Sequence, residues 1–72
     1  MTSVPPIVRS TVAGGTAYLI AWERSDDGAW GAHIAWVVLE GEAWKVRSAH
    51  VAADDLQQVE GQQYQAVPRR SP

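Results

Sequence analysis

The sequence predicts an all-β fold, in which a twisted antiparallel meander closes into a small, partly open barrel. Two observations lead to this prediction. Apolar runs rich in β-branched and aromatic residues recur along the chain. Glycine-containing turns separate these runs, and one of the turns contains Asp27-Gly28. Asp-Gly between two apolar runs is a strong hairpin signal, because both residues accept the positive φ angles of a type I′ turn.

The first two strands are predicted on either side of a glycine turn. Residues 1–6 contain Pro5-Pro6 and no periodicity, so we expect a loose N-terminal tail. Residues 7–12 are short and β-branched, and Gly14-Gly15 follows them. Residues 16–24 then form the second predicted strand.

Two longer strands and a short one are predicted next. Residues 29–40 and 43–51 form a hairpin around Gly41, which completes a three-stranded meander. For the segment that follows, one interpretation is a short helix capped by Asp54. The other is a 3₁₀ turn at residues 53–55, followed by a short last strand at 56–59.

The order of elements over residues 7–60 resembles that of small barrels of the Src-homology-3-like and Tudor-like types. Three twisted strands are followed by a polar turn and a short last strand. The resemblance implies one barrel domain over residues 7–60. The acidic, tyrosine-rich peptide-binding signature of Src-homology-3 domains is absent from residues 7–18, so no functional residue carries over.

The C-terminal residues 61–72 are polar, with two apolar points at Tyr64 and Val67. Such a composition is typical of a disordered tail. The alternative is that these two side chains dock on the sheet.

Turn geometry predicts which side chains share a face of the sheet. If Asp27-Gly28 is a two-residue loop, Trp22 lies opposite His33. A four-residue loop gives the same faces, and a one-residue bulge would reverse them. The nearly wholly apolar face is expected to be the core, and consists of Tyr18, Ile20, Trp22, Val37, Leu39, Trp44 and Val46. The opposite, mixed face is expected to be exposed, and it consists of Leu19, Ala21, Glu23, Ile34, Trp36, Val38, Lys45 and Arg47.

The expected exposed face supplies the candidate binding site. Exposure of Leu19, Ile34, Trp36 and Val38 together would form a larger apolar patch than a soluble monomer usually has. We therefore expect another surface to cover this patch. We therefore expect a non-catalytic protein-interaction module, self-associating or docked on a larger protein. The alternative is a nucleic-acid-binding barrel with an aromatic platform and a basic rim, which the net charge of −2 disfavours. The predicted binding residues are Trp36, Ile34, Leu19, Lys45, Arg47 and Trp30.

No catalytic, metal or cofactor site is expected. His33 and His50 fall on one face, but no recognised ligand spacing accompanies them, and we expect backbone groups to satisfy them. The aspartate pairs at 26–27 and 54–55 are explained by turns, so we do not expect an enzyme. There is no cysteine, no apolar leader and no membrane-length run, which is typical of a cytoplasmic protein. Five of six bases are arginine, and alanine and valine are abundant, which suggests a high-GC genome.

Overall fold

The computed structural model describes residues 4–70, and these residues form six β-strands and one short 3₁₀ helix. The expectations for residues 1–3 and 71–72 of the two tails lie outside the described residues. The 3₁₀ helix is labelled η1. The bounds are β1 Ile7–Ser10, β2 Gly15–Arg24, β3 Trp30–Glu40, β4 Ala43–Ala52, η1 Ala53–Asp55, β5 Leu56–Gln58 and β6 Arg69–Arg70.

The strands form one sheet in the order β4-β3-β2-β1-β5, and β6 pairs with β2. Neighbours in that order are antiparallel, whereas β6 runs parallel to β2. The prediction of an all-β, antiparallel fold is confirmed. The sheet is not closed, so β4 and β5 remain its edge strands.

The register of the second hairpin is confirmed. Leu39 lies opposite Trp44, and Val37 lies opposite Val46, as expected for a two-residue turn. Gly41 has a φ of 62°, a left-handed conformation that favours glycine in such a turn. Residues on these two strands therefore share faces as predicted.

The predicted register of the first hairpin is wrong, because the loop has three residues. Ser25 donates its N–H to the carbonyl of Ala29 across this loop, at 2.9 Å. Gly28, with a φ of 87°, fits the left-handed position of a type I turn with a glycine bulge. A loop with an odd number of residues places Trp22 opposite Ala32 instead of His33.

A second irregularity lies within β2, and the residues before it face the predicted sides of the sheet. The register shifts by one residue between Leu19 and Ala21, so that Leu19 lies opposite Ile34 and Tyr18 opposite Ala35. Such a β-bulge leaves one residue without a partner and reverses the side on which later side chains point. As a result, the four residues from Ala21 to Arg24 change sides relative to the predicted register.

The buried face of the sheet is the opposite of the one predicted. Leu19 is 1% exposed and Ile34 is fully buried, whereas Leu39 is 57% exposed. The reason is that residues of β1, β5 and the C-terminal segment pack on the Leu19 side. The core cluster consists of Val8, Ala17, Leu19, Ala32, Ile34, Val51 and Val67.

The C-terminal segment docks on the sheet through its two apolar residues. Tyr64 donates its hydroxyl to the carbonyl of Ile7 at 2.6 Å and accepts the N–H of Val59 at 2.7 Å. Val67 is buried in the core cluster. The carbonyl of Pro68 accepts a hydrogen bond from the N–H of Trp22 at 2.8 Å, directly before β6 begins at Arg69.

The molecule is elongated. Its radius of gyration is 12.7 Å and its extents are 40 × 29 × 22 Å, whereas a compact chain of this length has a radius of about 11 Å. The longest strands, β3 and β4, have 11 and 10 residues. A strand of 10 residues spans roughly 33 Å, at about 3.3 Å per residue. We call residues 37–46, which form the exposed end of the β3–β4 hairpin, the hairpin arm.

Candidate functional site

The predicted binding surface around Trp36 is not exposed. Leu19 and Ile34 lie in the core, and Trp36 is half-buried and packs against the core cluster. The prediction that this face is open to solvent is therefore wrong. Its physical cause is the cover provided by the N-terminal strand and the C-terminal segment, which lie far from Trp36 in sequence.

The remaining predicted site residues lie on the surface but do not form one patch. Lys45 lies opposite Val38, and Arg47 lies opposite Trp36. Both cations are exposed, and Arg47 forms an ion pair with Glu40. Trp30 is 43% exposed and lies at the start of β3, away from the arm.

A contiguous apolar surface lies on the opposite side of the sheet. Trp44 is 70% exposed and Val46 is 75% exposed. The strand register places them directly opposite Leu39 and Val37, which are also exposed. We call this surface the arm face; it consists of Tyr18, Val37, Leu39, Trp44 and Val46.

The sequence correctly predicts that the arm-face residues share one face, but the prediction that this face is the core is wrong. The alternation of apolar residues groups them correctly, since the second hairpin has the expected register. Alternation alone does not reveal which side the rest of the chain covers. The sequence feature that indicates the covered side is the pair Tyr64 and Val67, because both side chains pack on the Leu19 side.

Two open grooves flank Trp30 at the other end of β3. One, of about 490 Å³, is lined in part by Trp30, Arg24 and Arg70. The other, of about 270 Å³, is lined by Trp22, Trp30 and Arg69. Three arginines thus line the two grooves beside this exposed indole, although Glu23 and Asp26 also line the larger groove.

A carboxylate and both histidines meet beside the larger groove. His33 lies directly opposite His50 on the neighbouring strand, and their rings stack with centroids 5.6 Å apart. Glu23 Oε1 lies 2.5 Å from His50 Nε2 and 3.9 Å from His33 Nδ1. The expectation that backbone groups satisfy these histidines missed this partner, because the predicted register placed Glu23 on the other face.

Two aspartates stabilise turns. Asp55 accepts hydrogen bonds from the hydroxyls of Ser10 and Thr11, which tie η1 to the end of β1. These bonds, that of Ser10 foremost, lower the pKa of Asp55. The Ser25 hydroxyl and then the Ala29 N–H lower the pKa of Asp27 in the same way.

Glycine at position 31 allows β3 and β4 to lie close together beside the histidines. A Cβ at this position would lie 2.7 Å from the carbonyl oxygen of Val51. Gly31 also lies opposite Glu23, so no side chain stands directly across from the carboxylate. The absence of a side chain leaves the Glu23 carboxylate free to reach diagonally toward His33.

The described residues include no helix that is long and apolar enough to span a membrane. No protein-family model, no curated protein and no solved structure matches the chain.

Proposed function

We propose that this protein is a small, non-catalytic interaction module that binds through the arm face, and that its partner is a second copy of the same chain. The observation that carries the proposal is the exposure of Trp44 and Val46, at 70% and 75%, next to Leu39 and Val37. Contact between water and so much apolar surface is unfavourable. A partner that covers the arm face therefore lowers the free energy.

The size of the arm face suits a protein partner. Its two aromatic and three aliphatic side chains expose on the order of 500 Å² together. The largest apolar patches on monomers measure roughly 300–600 Å², and a standard interface buries about 800 Å² on each partner. The arm face is therefore comparable with the apolar centre of a standard interface.

The absence of charge on the arm face favours a second copy. In a two-fold dimer the same patch meets itself, so a charge near the axis is repelled by its own counterpart. The arm-face residues carry no charge, and neither do Ala35 and Ser48, which pair with each other on the same side of the sheet. Self-association of this patch therefore brings no like charges together.

Packing between two arm faces is favoured over pairing between two β4 edges. β4 is an edge strand and carries Lys45 and Arg47. Two β4 strands placed side by side would bring these cations near those of the other copy. Charged side chains on an edge strand oppose such pairing.

The fold itself supports a further part of the proposal, that the chain is an opened Src-homology-3-like barrel. β5 pairs with β1 after a 3₁₀ turn, and β1 to β4 form a consecutive meander. That order is the one expected from the resemblance. In this description the long β3–β4 hairpin extends beyond the barrel and presents the arm face.

Sedimentation equilibrium of the wild-type chain and of Trp44→Ser tests the proposal. We expect the wild type to dimerise with rising concentration, and Trp44→Ser to weaken association at least about tenfold, since an exposed indole at an interface centre contributes more than ~1.4 kcal/mol. Trp30→Ser is the matched control, because it removes an exposed tryptophan outside the arm face, and it should leave dimerisation unchanged.

A strictly monomeric wild type at high concentration would overturn the proposed self-association. Equal dimerisation by wild type and Trp44→Ser would assign the contact to another surface and would also contradict the proposal. Circular dichroism of each variant establishes that the fold is retained.

A second candidate function is binding of single-stranded nucleic acid at Trp30. The observation that favours it is the grouping of Arg24, Arg69 and Arg70 around this indole, because bases stack on aromatic rings beside basic side chains. Binding should fall steeply as salt rises and should be lost in Trp30→Ser. The absence of binding at low salt would eliminate this function.

A further inference from the structure

We infer that Glu23, His33 and His50 form a binding site for a divalent transition metal, of which Zn²⁺ is the best match. This inference does not depend on self-association through the arm face. One carboxylate oxygen and one nitrogen from each imidazole lie within 4.8 Å of one another. Two imidazoles and one carboxylate are a donor set that binds zinc with a fourth position left open.

The strand register brings the three ligands together. His33 and His50 are direct cross-strand partners on β3 and β4. Glu23 lies on β2, opposite Gly31 and therefore diagonal to His33, a separation that a long side chain spans. All three ligands stand on one continuous sheet, a rigid support that suits metal binding.

The electrostatics of Glu23 are unusual for a simple ion pair. Within the described residues, Glu23 Oε1 is enclosed by the protein and accepts no hydrogen bond. His50 Nε2 lies 2.5 Å from this oxygen, as an ion-pair contact and not as one of the hydrogen bonds of the structure. A buried carboxylate oxygen without a hydrogen-bond donor is unfavourable, and a bound cation between the oxygen and the imidazole nitrogens satisfies all three.

The two distances from the Glu23 carboxylate to the imidazoles fit zinc after small movements. Zinc binds nitrogen and oxygen at about 2.0–2.2 Å, so tetrahedral ligands lie roughly 3.3 Å apart. The Glu23–His50 contact of 2.5 Å must lengthen and the Glu23–His33 contact of 3.9 Å must shorten, each by less than 1 Å. His50 is the most exposed of the three side chains, and it has the freedom to make this adjustment.

The groove beside the cluster gives the metal an entry path and leaves room for a fourth ligand. Glu23 and His50 both line the groove of about 490 Å³. Water is the simplest fourth ligand. Arg24 and Arg70 line the same groove, so an anionic ligand is favoured over a cationic one at the open position.

The chain offers a clean test, because His33 and His50 are its two histidines and it has no cysteine. Zn²⁺ is titrated into the wild-type chain by calorimetry, and the imidazole C–H signals are followed by NMR. We expect one Zn²⁺ per chain, simultaneous shifts of both histidines and a higher melting temperature with metal.

Three variants and one control localise the metal. Loss of a group that only orients a metal ligand weakens metal binding about tenfold to hundredfold. Glu23→Gln removes a ligand itself, so it should weaken Zn²⁺ binding by at least that factor. His33→Gln and His50→Gln should each reduce it further. Asp26→Asn removes a carboxylate from the same groove, and it should leave binding unchanged.

The inference is overturned if the wild type binds no Zn²⁺, which would leave Glu23 in an ordinary ion pair. It is also overturned if the histidine variants bind Zn²⁺ as well as the wild type. Both histidines are partly exposed, so the glutamine variants are expected to fold, and the NMR spectrum of each variant establishes this before the titration.

Discussion

At the scale of single residues, Asp55 connects two segments that are distant in sequence. Its carboxylate holds the hydroxyls of Ser10 and Thr11, so η1 is tied to the end of β1. Ser10 is buried and depends on this carboxylate as its acceptor. This contact helps the short strand β5 to pair with β1 and thereby to cover the core.

The lowered pKa of Asp55 predicts a dependence of stability on pH. A group whose pKa is lower in the folded chain stabilises the fold above its unfolded pKa, about 3.9, and loses this effect as the pH falls through its folded pKa. We expect Asp55→Asn to melt below the wild type at neutral pH, because its side chain accepts less well from Ser10 and Thr11.

Melting curves measured from pH 7 to about pH 2 check this prediction. The difference between wild type and Asp55→Asn should shrink below about pH 4 as the carboxylate is protonated. A difference that stays constant with pH would show that the charge of Asp55 has no part in the stability.

At the scale of elements, the two hairpins differ in how well the sequence predicts them. The turn at Gly41 has the two-residue form, and its register follows from alternation. The turn at Gly28 has the three-residue form, and Ser25 at its first position, with glycine three residues later, also suits a type I turn. Asp-Gly fits both forms, so the sequence left the number of loop residues open.

The three-residue turn requires a left-handed residue at position 28. Gly28 has a φ of 87°, and an added Cβ would meet only the Arg24 side chain, at ordinary contact distance. Gly28→Ala should therefore lower the free energy of unfolding by about 1–2 kcal/mol through backbone strain alone.

Urea denaturation of Gly28→Ala and Gly28→Asn separates strain from crowding. Asparagine tolerates the left-handed conformation better than alanine, so Gly28→Asn should be the more stable of the two variants despite its larger side chain. A greater loss in Gly28→Asn than in Gly28→Ala would contradict the turn described here.

The bulge between Leu19 and Ala21 explains why the chemistry around Glu23 was not predicted. Together with the three-residue loop, it places the residues from Ala21 to Arg24 on the side opposite to the predicted one. Glu23 thereby reaches His33 and His50, which the predicted register had placed on the opposite face. A β-bulge lacks a distinctive sequence signal in a strand whose residues are apolar on both sides.

At the scale of the whole molecule, the sequence predicts the strands but not the side that becomes the core. Leu19 and Leu39 stand on opposite faces, and both faces are rich in apolar residues. The choice depends on β1, β5 and the Tyr64–Val67 segment, which all fold over the Leu19 side. Such long-range packing is not expressed in the alternation of any one strand.

The orientation of the sheet also determines where function can lie. Because the C-terminal segment covers the Leu19 side, Trp36 is half-buried and the arm face remains open. The same orientation leaves His33 and His50 partly exposed beside a groove. Both proposals therefore depend on which face of the sheet is buried.

Urea denaturation of Leu19→Ala and Leu39→Ala, at a concentration where the chain is monomeric, tests this orientation most directly, since the substitution is the same on both faces. We expect Leu19→Ala to lower the free energy of unfolding by about 2–5 kcal/mol, or to unfold the chain, because it creates a cavity in the core. Leu39→Ala should change it by no more than about 0.5 kcal/mol. The reverse order would show that the Trp44 side is the core and would contradict this account.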